Sequence, residues 1–256
     1  MLECGDFEGY LSVNEVRRCV GVVFSWIFCI FVVMITMSNI RKSYGSLEVL
    51  RDLSLEVPDG RVTCIVGPSG SGKSTLLHIL GTLDRPDAGV VSYDGVCPYE
   101  YGDNKLSRFR GEHIGFVFQN HRLLPEFSIQ ENVAIPAMIL GVKRKESMER
   151  ARVLLSELGL GDRLNHRPSE LSGGECQRAS VARALVNNPK VVLADEPSGS
   201  LDSENRASLH RLFFDLRDKY GTTFVIVTHD EHLASMSDRT IHLADGRVTA
   251  CIDNSL

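Results

Sequence analysis

Gly67-Pro68-Ser69-Gly70-Ser71-Gly72-Lys73-Ser74-Thr75 is the stretch on which the fold turns. It fits the pattern G-x-x-x-x-G-K-[ST], with the apolar run 62–66 before it and a helical pattern at 75–80 after it. Glycines let a backbone fold closely enough for its N–H groups to surround phosphate oxygens, and the start of the next helix adds a fixed positive end. Lys73 is placed to neutralise those oxygens, and the Ser74 hydroxyl to ligate Mg²⁺. The competing account, a glycine-rich turn that fits by accident, does not explain the strand and helix on either side. The stretch predicts a site for ATP with Mg²⁺.

Further along the chain, the short apolar runs 114–118, 191–194 and 224–227 share the character of 62–66. They are apolar on both faces, as strands of a buried parallel sheet are, and helical patterns lie between them, so an α/β fold is expected. Residues Ile35, Met37 and Ile40 read as an opening strand, and Asp245-Gly246 as the turn of a terminal hairpin between 240–243 and 247–250. From about residue 128 to 183 the pattern is helical with no convincing strand. Met148, Ala151, Leu154, Leu155 and Leu158 recur at three- and four-residue spacing until Gly159 and Gly161 end the helix. This stretch reads as a helical subdomain set into the core.

Each strand end carries a residue suited to chemistry. Asp195 and Glu196 close the run 191–194, at the sheet edge where α/β folds bind ligands. Asp195 is expected to hold Mg²⁺, directly or through water, and Glu196 to polarise the attacking water. Alone, such a pair also reads as an acid capping the next helix. Gln119 follows 114–118 and His229 follows 224–228, which puts Gln119 near Mg²⁺ and water, and His229 near the γ-phosphate. Leu171-Ser172-Gly173-Gly174-Glu175 forms a second glycine nest with a serine at a helix start. A nucleotide already held by one loop does not need a second, so this nest is expected to serve the nucleotide of another copy.

Taken in order, these motifs resemble the ATP-binding subunits of ABC transporters from about residue 34 to 250. The resemblance implies a RecA-like P-loop NTPase core with an inserted helical subdomain, ATP hydrolysis coupled to transport, and a head-to-tail dimer joined to integral-membrane permease subunits. It makes Gln119 a Q-loop, Leu171 to Glu175 the signature, Ser200-Leu201-Asp202 a D-loop and His229 a switch histidine. Tyr44 stands where the family stacks an aromatic on adenine, although a plain strand-edge tyrosine is the alternative. His121-Arg122-Leu123-Leu124-Pro125-Glu126-Phe127, followed by Glu131-Asn132-Val133, resembles the subgroup serving lipoprotein release, macrolide-type export and cell division. The segments 165–170 and 183–189 are most similar to its lipoprotein-releasing ATPases. By the same resemblance, a coupling helix of the permease docks beside Gln119, and the protein sits on the cytoplasmic face of the inner membrane. Three departures stand out: Cys176 after the signature, Ser200 in the D-loop, and the N-terminal extension.

Composition sets the remaining bounds. The chain has 256 residues, 43% hydrophobic and 24% charged, with a formal net charge of −5. That balance lacks the basic footprint of a nucleic-acid binder, and no nucleic-acid partner is expected. A DNA-repair or translation ATPase with a similar signature would bring a coiled-coil insertion or tandem halves, and neither is visible in the sequence. The seven cysteines, Cys4, Cys19, Cys29, Cys64, Cys97, Cys176 and Cys251, form no C-x-x-C pair and read as free thiols. Residues 1–33 form an apolar extension, uncharged from Cys19 to Ile40. It reads as a signal peptide, as a membrane anchor, or, the reading preferred, as a start assigned too early, with Met34 or Met37 the natural first residue. The ATPase domain is expected over 34–250, with a tail at 251–256.

Overall fold

The structure is a computed structural model and describes residues 33–254. The N-terminal extension, with all three readings of it, lies outside the described residues except for Val33, which opens the first strand. No helix among the described residues is long and apolar enough to cross a membrane.

The phosphate loop sits between strand β3 (Val62–Val66) and helix α1 (Lys73–Leu80). β3 lies inside a six-stranded sheet ordered β5-β6-β7-β3-β8-β9. The other members are β5 (Ile114–Phe118), β6 (Val191–Asp195), β7 (Thr223–Val227), β8 (Arg239–Ala244) and β9 (Arg247–Asp253). The first five run parallel, and β9 returns antiparallel to β8. The β8–β9 turn places Asp245 at φ 49° and Gly246 at φ 74°, the left-handed pair that a two-residue hairpin demands. β9 continues to Asp253, past the boundary expected at residue 250, and Asn254 is bonded through its side-chain amide to the carbonyls of Ala234 and Ser237. The described part of the expected tail is therefore tied into the sheet.

Alternation within each strand builds two cores. Val192, Ala194, Phe224 and Ile226 join one cluster, while Val191, Leu193, Val225 and Val227 join the other. On the second face lie α1 and a three-stranded antiparallel sheet, β2-β1-β4, made of β1 (Val33–Tyr44), β2 (Leu47–Pro58) and β4 (Ala88–Tyr93). Ile35, Met37 and Ile40 point into this core from β1, whereas β2 and β4 were not foreseen. Helix α2 (Asp103–His113) leads into β5.

The opposite face is covered by helices, and the chain between β5 and β6 contains no strand. α3 (Ile129–Ile139) starts at Ser128, which closes a capping box with Glu131. α4 (Arg144–Glu157) stops where Gly159 takes φ 75°. α5 (Gly173–Leu185), α6 (Ser203–Tyr220) and the short α7 (Glu231–Met236) complete the layer. α5 packs against both the other inserted helices and β5, so it joins the helical subdomain to the sheet.

Candidate active site

Two glycines show why the phosphate loop has its composition. A Cβ at Gly67 would stand 2.0 Å from the Leu243 carbonyl oxygen, so β8 leaves no room for a side chain. Gly72 lies at φ 98°, where a side chain is strained, and a Cβ there would also press on Leu50 at 2.8 Å. Helix α1 then begins with no side-chain cap and no acidic residue in its first turn. Its leading N–H groups and the positive end of its dipole face the cleft unneutralised. The Lys73 ammonium is held over the loop by the carbonyls of Gly67 and Pro68, at 2.8 and 2.9 Å. Behind the loop, the Gly246 amide donates to the Ser71 carbonyl and the Arg51 amide to that of Gly246, so the β8–β9 turn and β2 brace it. The Ser71 hydroxyl is buried and has no partner.

The acid pair forms the facing wall. Ser74 Oγ donates to Asp195 Oδ1 at 3.4 Å, joining the start of α1 to the end of β6. Burial pushes the Asp195 carboxyl above its usual range, with the Ser74 bond opposing. Glu196 takes φ 45°, a left-handed conformation costing on the order of 1 kcal/mol for a residue with a side chain. Its amide donates to the Val227 carbonyl on β7, and its Oε2 lies 2.9 Å from His229 Nδ1. The turn thus aims the carboxylate across to the end of the neighbouring strand.

Gln119 extends from the end of β5 toward Gly199, where a Cβ would lie 3.1 Å from its Nε2. Gln177, buried in α5, donates to the Phe118 carbonyl at 3.1 Å and fixes the strand just before Gln119. After Gln119 the chain passes through His121 at φ 28° and Arg122 at φ 49°. Arg183 donates to both of their carbonyls, at 2.7 and 2.6 Å, and holds this unfavourable backbone in place. Burial lowers the Arg183 pKa.

Tyr44 borders the same cleft from β1. Its hydroxyl donates to Asp84 Oδ2 at 2.5 Å, while Lys42 Nζ lies 2.7 Å from Asp84 Oδ1 and 5.2 Å from the ring centroid. The hydrogen bond to Asp84 raises the Tyr44 pKa, and burial adds to it. Burial would raise that of Asp84, but the bonds from Lys42 and Tyr44 outweigh it and hold the carboxyl below its usual range.

The cleft, about 620 Å³, is lined by Tyr44, Gly67, Ser69, Gly70, Gly72, Lys73, Ser74, Thr75, Gln119, Asp195, Glu196 and His229. Leu47, Val49 and Val227 complete the lining and were not foreseen. Pro68 and Ser71 belong to the loop without lining the cleft. The signature and D-loop residues do not line it either. Ser172 caps α5 by accepting from the Glu175 amide at 3.2 Å, while Glu175 accepts from the Ser172 amide at 2.8 Å and pairs with Arg163. Glu175 is therefore a cap, whereas Ser172 and Gly173 are exposed. Gly174 abuts Asn205, whose side-chain oxygen would lie 2.5 Å from an added Cβ, and Asn205 is held by Asp202, the cap of α6. Leu201 is buried beside Gly173, and Ser200 is exposed. Signature and D-loop together make a second surface. Cys176 points inward, its thiol donating to the Pro168 carbonyl at 3.4 Å, so this departure leaves Ser172 and Gly173 undisturbed.

Among the described residues no cluster of three or more His, Cys, Asp or Glu could hold a metal by itself. The oxygen donors are the Ser74 hydroxyl, the Asp195 carboxylate and the Gln119 amide, a set that fits Mg²⁺ completed by phosphate and water.

An open helix end and a lysine for phosphate, at the carboxyl edge of a parallel sheet with an acid pair opposite, define a P-loop nucleoside-triphosphate hydrolase. The "ABC transporter" family profile matches residues 50–199. The chain is 59% identical to the lipoprotein-releasing system ATP-binding protein LolD of Bacteroides thetaiotaomicron, over 84% of this chain and 99% of that one. It is 55% identical to LolD of Cytophaga hutchinsonii, over 81% and 95%. Among solved structures, a bacterial ABC transporter cassette, dimeric and in one case bound to ADP and Pi, is 38% identical, with TM-scores of 0.80 and 0.79 over 86% of this chain. This chain belongs to the ABC transporter family, as one of its ATP-hydrolysing subunits.

Proposed function

We infer that the protein drives the release of lipoproteins from the bacterial inner membrane, as the ATPase of a transporter whose membrane-spanning subunits are separate chains. The carrying observation is the 59% identity to a lipoprotein-releasing relative over 99% of that relative's length. The phosphate loop's N–H groups and Lys73 receive the β- and γ-phosphates, and Tyr44 stacks on adenine, its ring set by Asp84 and Lys42. Ser74, Asp195 and Gln119 hold Mg²⁺, which when bound offsets the negative charge of the phosphates.

Glu196 takes a proton from the attacking water as its oxygen bonds to the γ-phosphorus and the bond to the β-phosphate oxygen breaks. His229, beside Glu196, stays at the γ-phosphate. The exposed Ser172 hydroxyl and Gly173 backbone serve the nucleotide of a second copy arranged head to tail, and Ser200 and Asp202 carry the adjoining surface. The permease docks along the groove between α2, β5 and α3, where Leu83 and Ile139 are exposed. In this reading the protein works at the cytoplasmic face of the membrane, held there by the permease.

The test is reconstitution. The ATPase is purified from detergent-solubilised membranes with its bound membrane subunits, identified by mass spectrometry, and placed in liposomes carrying an acylated lipoprotein. ATP-dependent release of the lipoprotein is expected. Co-purification with an exporter-type or division-type permease, and no release, would transfer the assignment to one of those systems.

A further inference from the structure

Three parts of the fold that carry no assigned role meet behind the acid pair. His210 lies inside α6, 2% exposed, and Ser198, two residues after Glu196, is 3% exposed. His210 Nε2 stands 3.1 Å from Ser198 Oγ and 3.9 Å from Asp230 Oδ2, the residue directly after His229. Asp230 is itself fixed, accepting from the amides of His232 and Leu233 at the start of α7. One ring nitrogen therefore faces an oxygen from each of the loops that carry Glu196 and His229.

We propose that His210 is a positioning residue that ties the loop leaving Glu196 to the loop leaving His229, keeping that carboxylate and imidazole in contact. Two oxygens facing one nitrogen favour the tautomer with the proton on Nε2, which donates to Ser198 and points its positive hydrogen toward Asp230. Burial lowers the His210 pKa and so favours the neutral ring, Asp230 opposes, and His232 and Arg206 act in the same direction as burial. A neutral ring suits a buried bridge because it carries no charge to desolvate. Glu196 opens the loop that this bridge braces, at φ 45°. Its amide donates to the Val227 carbonyl, its carbonyl accepts from the Gly199 amide and its Oε2 accepts from the His229 amide, while Ser198, inside that turn, is joined to Asp230 through the His210 ring. His210 adds a side-chain brace to those bonds from within α6, out of reach of the cleft, which it does not line.

The inference rests on the roles proposed above for Glu196 and His229, and the experiment separates the two. kcat and KM for ATP are measured for His210→Phe, His210→Gln, Ser198→Ala and Glu196→Gln, together with thermal unfolding of each. His210→Phe keeps the bulk and loses the donor. Its kcat is expected to fall about three- to tenfold, the range of one hydrogen bond, with KM changed less than about twofold. His210→Gln returns an N–H to nearly the same place and is expected to recover most of the loss. Ser198→Ala removes the acceptor with little change of packing and should lower kcat similarly, which decides the matter if His210→Phe does not fold.

A parental kcat in His210→Phe, or in Ser198→Ala, beside an inactive Glu196→Gln overturns the inference and leaves the site reading standing. So does an equal loss in the glutamine and phenylalanine variants, or a rise in KM that matches the fall in kcat. Parental turnover in Glu196→Gln overturns the site reading itself.

Discussion

Glu196→Gln and Asp195→Asn alter neighbouring carboxylates with opposite expected results. In the first, the glutamine retains the size and the bond geometry toward His229 but cannot accept a proton at neutral pH. Loss of a general base costs about a hundredfold or more in rate, or roughly 2.7 kcal/mol of barrier. The fold should hardly register the change. The His229 partner is 73% exposed, so the contact with Glu196 is worth under about 1 kcal/mol, and the backbone bond to Val227 remains. Mg-ATP should still bind, and the variant should accumulate as an ATP-bound dimer.

Asp195→Asn behaves differently. Burial raises the Asp195 pKa, so its charged form is the disfavoured one in the folded protein. An acid with a raised folded pKa destabilises the fold above that pKa, and the penalty fades as pH falls through it. Without nucleotide, Asp195→Asn should therefore be slightly more stable than the parent at neutral pH, with the difference vanishing in acid. With Mg-ATP it should bind poorly and form no dimer. Phosphate release, size-exclusion chromatography with Mg-ATP, and thermal unfolding across pH read all three effects. Parental turnover in Glu196→Gln, or the same trapped dimer from both variants, would refute the assignment.

Ser172→Arg should bind ATP as a monomer yet fail to hydrolyse it, and mixing it with Lys73→Ala should restore some activity through one intact composite site; normal hydrolysis by Ser172→Arg alone would remove the two-copy arrangement. Asp84→Ala takes the acceptor from both Tyr44 and Lys42, so KM for ATP should rise about three- to tenfold with kcat retained, the worth of a lost hydrogen bond. Because Asp84 is held below its usual range, its contribution is present above the unfolded value and lost only as pH falls through the lower folded one. ATP affinity in the parent that already drops between about pH 7 and 5 on this account would count against the clamp. A chain beginning at Met34 should fold and bind ATP, whereas one beginning at Met37 lacks Ile35, which is fully buried and paired with Val57 and Tyr93. The shorter chain should lose a few kcal/mol, as for deleted core side chains, and equal melting temperatures would contradict that.

What could be read in advance depended on how local the signal was. The phosphate loop, the acid pair and the signature are contiguous, and strands buried on both faces leave unbroken apolar runs. β2 is different. Leu53, Leu55 and Val57 alternate with polar residues, but Asp52 at φ 56° interrupts the period, opposite Asn39 at φ 54°, to which it is hydrogen-bonded. β4 begins Ala88-Gly89, with Gly89 at φ 93° against the carbonyls of Ser38 and Asn39, which resembles a turn until its neighbour is known. Within the site, Lys42 and Tyr44 are two apart on a strand and so share a side, a legible relation. Asp84 joins them from a distant loop, and His210 meets Ser198 and Asp230 from another helix. Such meetings leave no periodic trace. Glu175 shows the converse, a motif position whose carboxylate is spent on capping its own helix.

The strand order also bears on how the protein is made. β3, which delivers the phosphate loop, is flanked by β7 and β8, and these come from the last part of the chain. At ribosomal rates the interval of about 150 residues between β3 and β7 lasts roughly eight to thirty seconds. Throughout that time Cys64 and Ile65 have no sheet to enter, and Gly67 has no β8 to lie against. A partly synthesised chain thus carries the complete nucleotide motif before the strands on either side of it, and the hairpin that braces the loop, have been made.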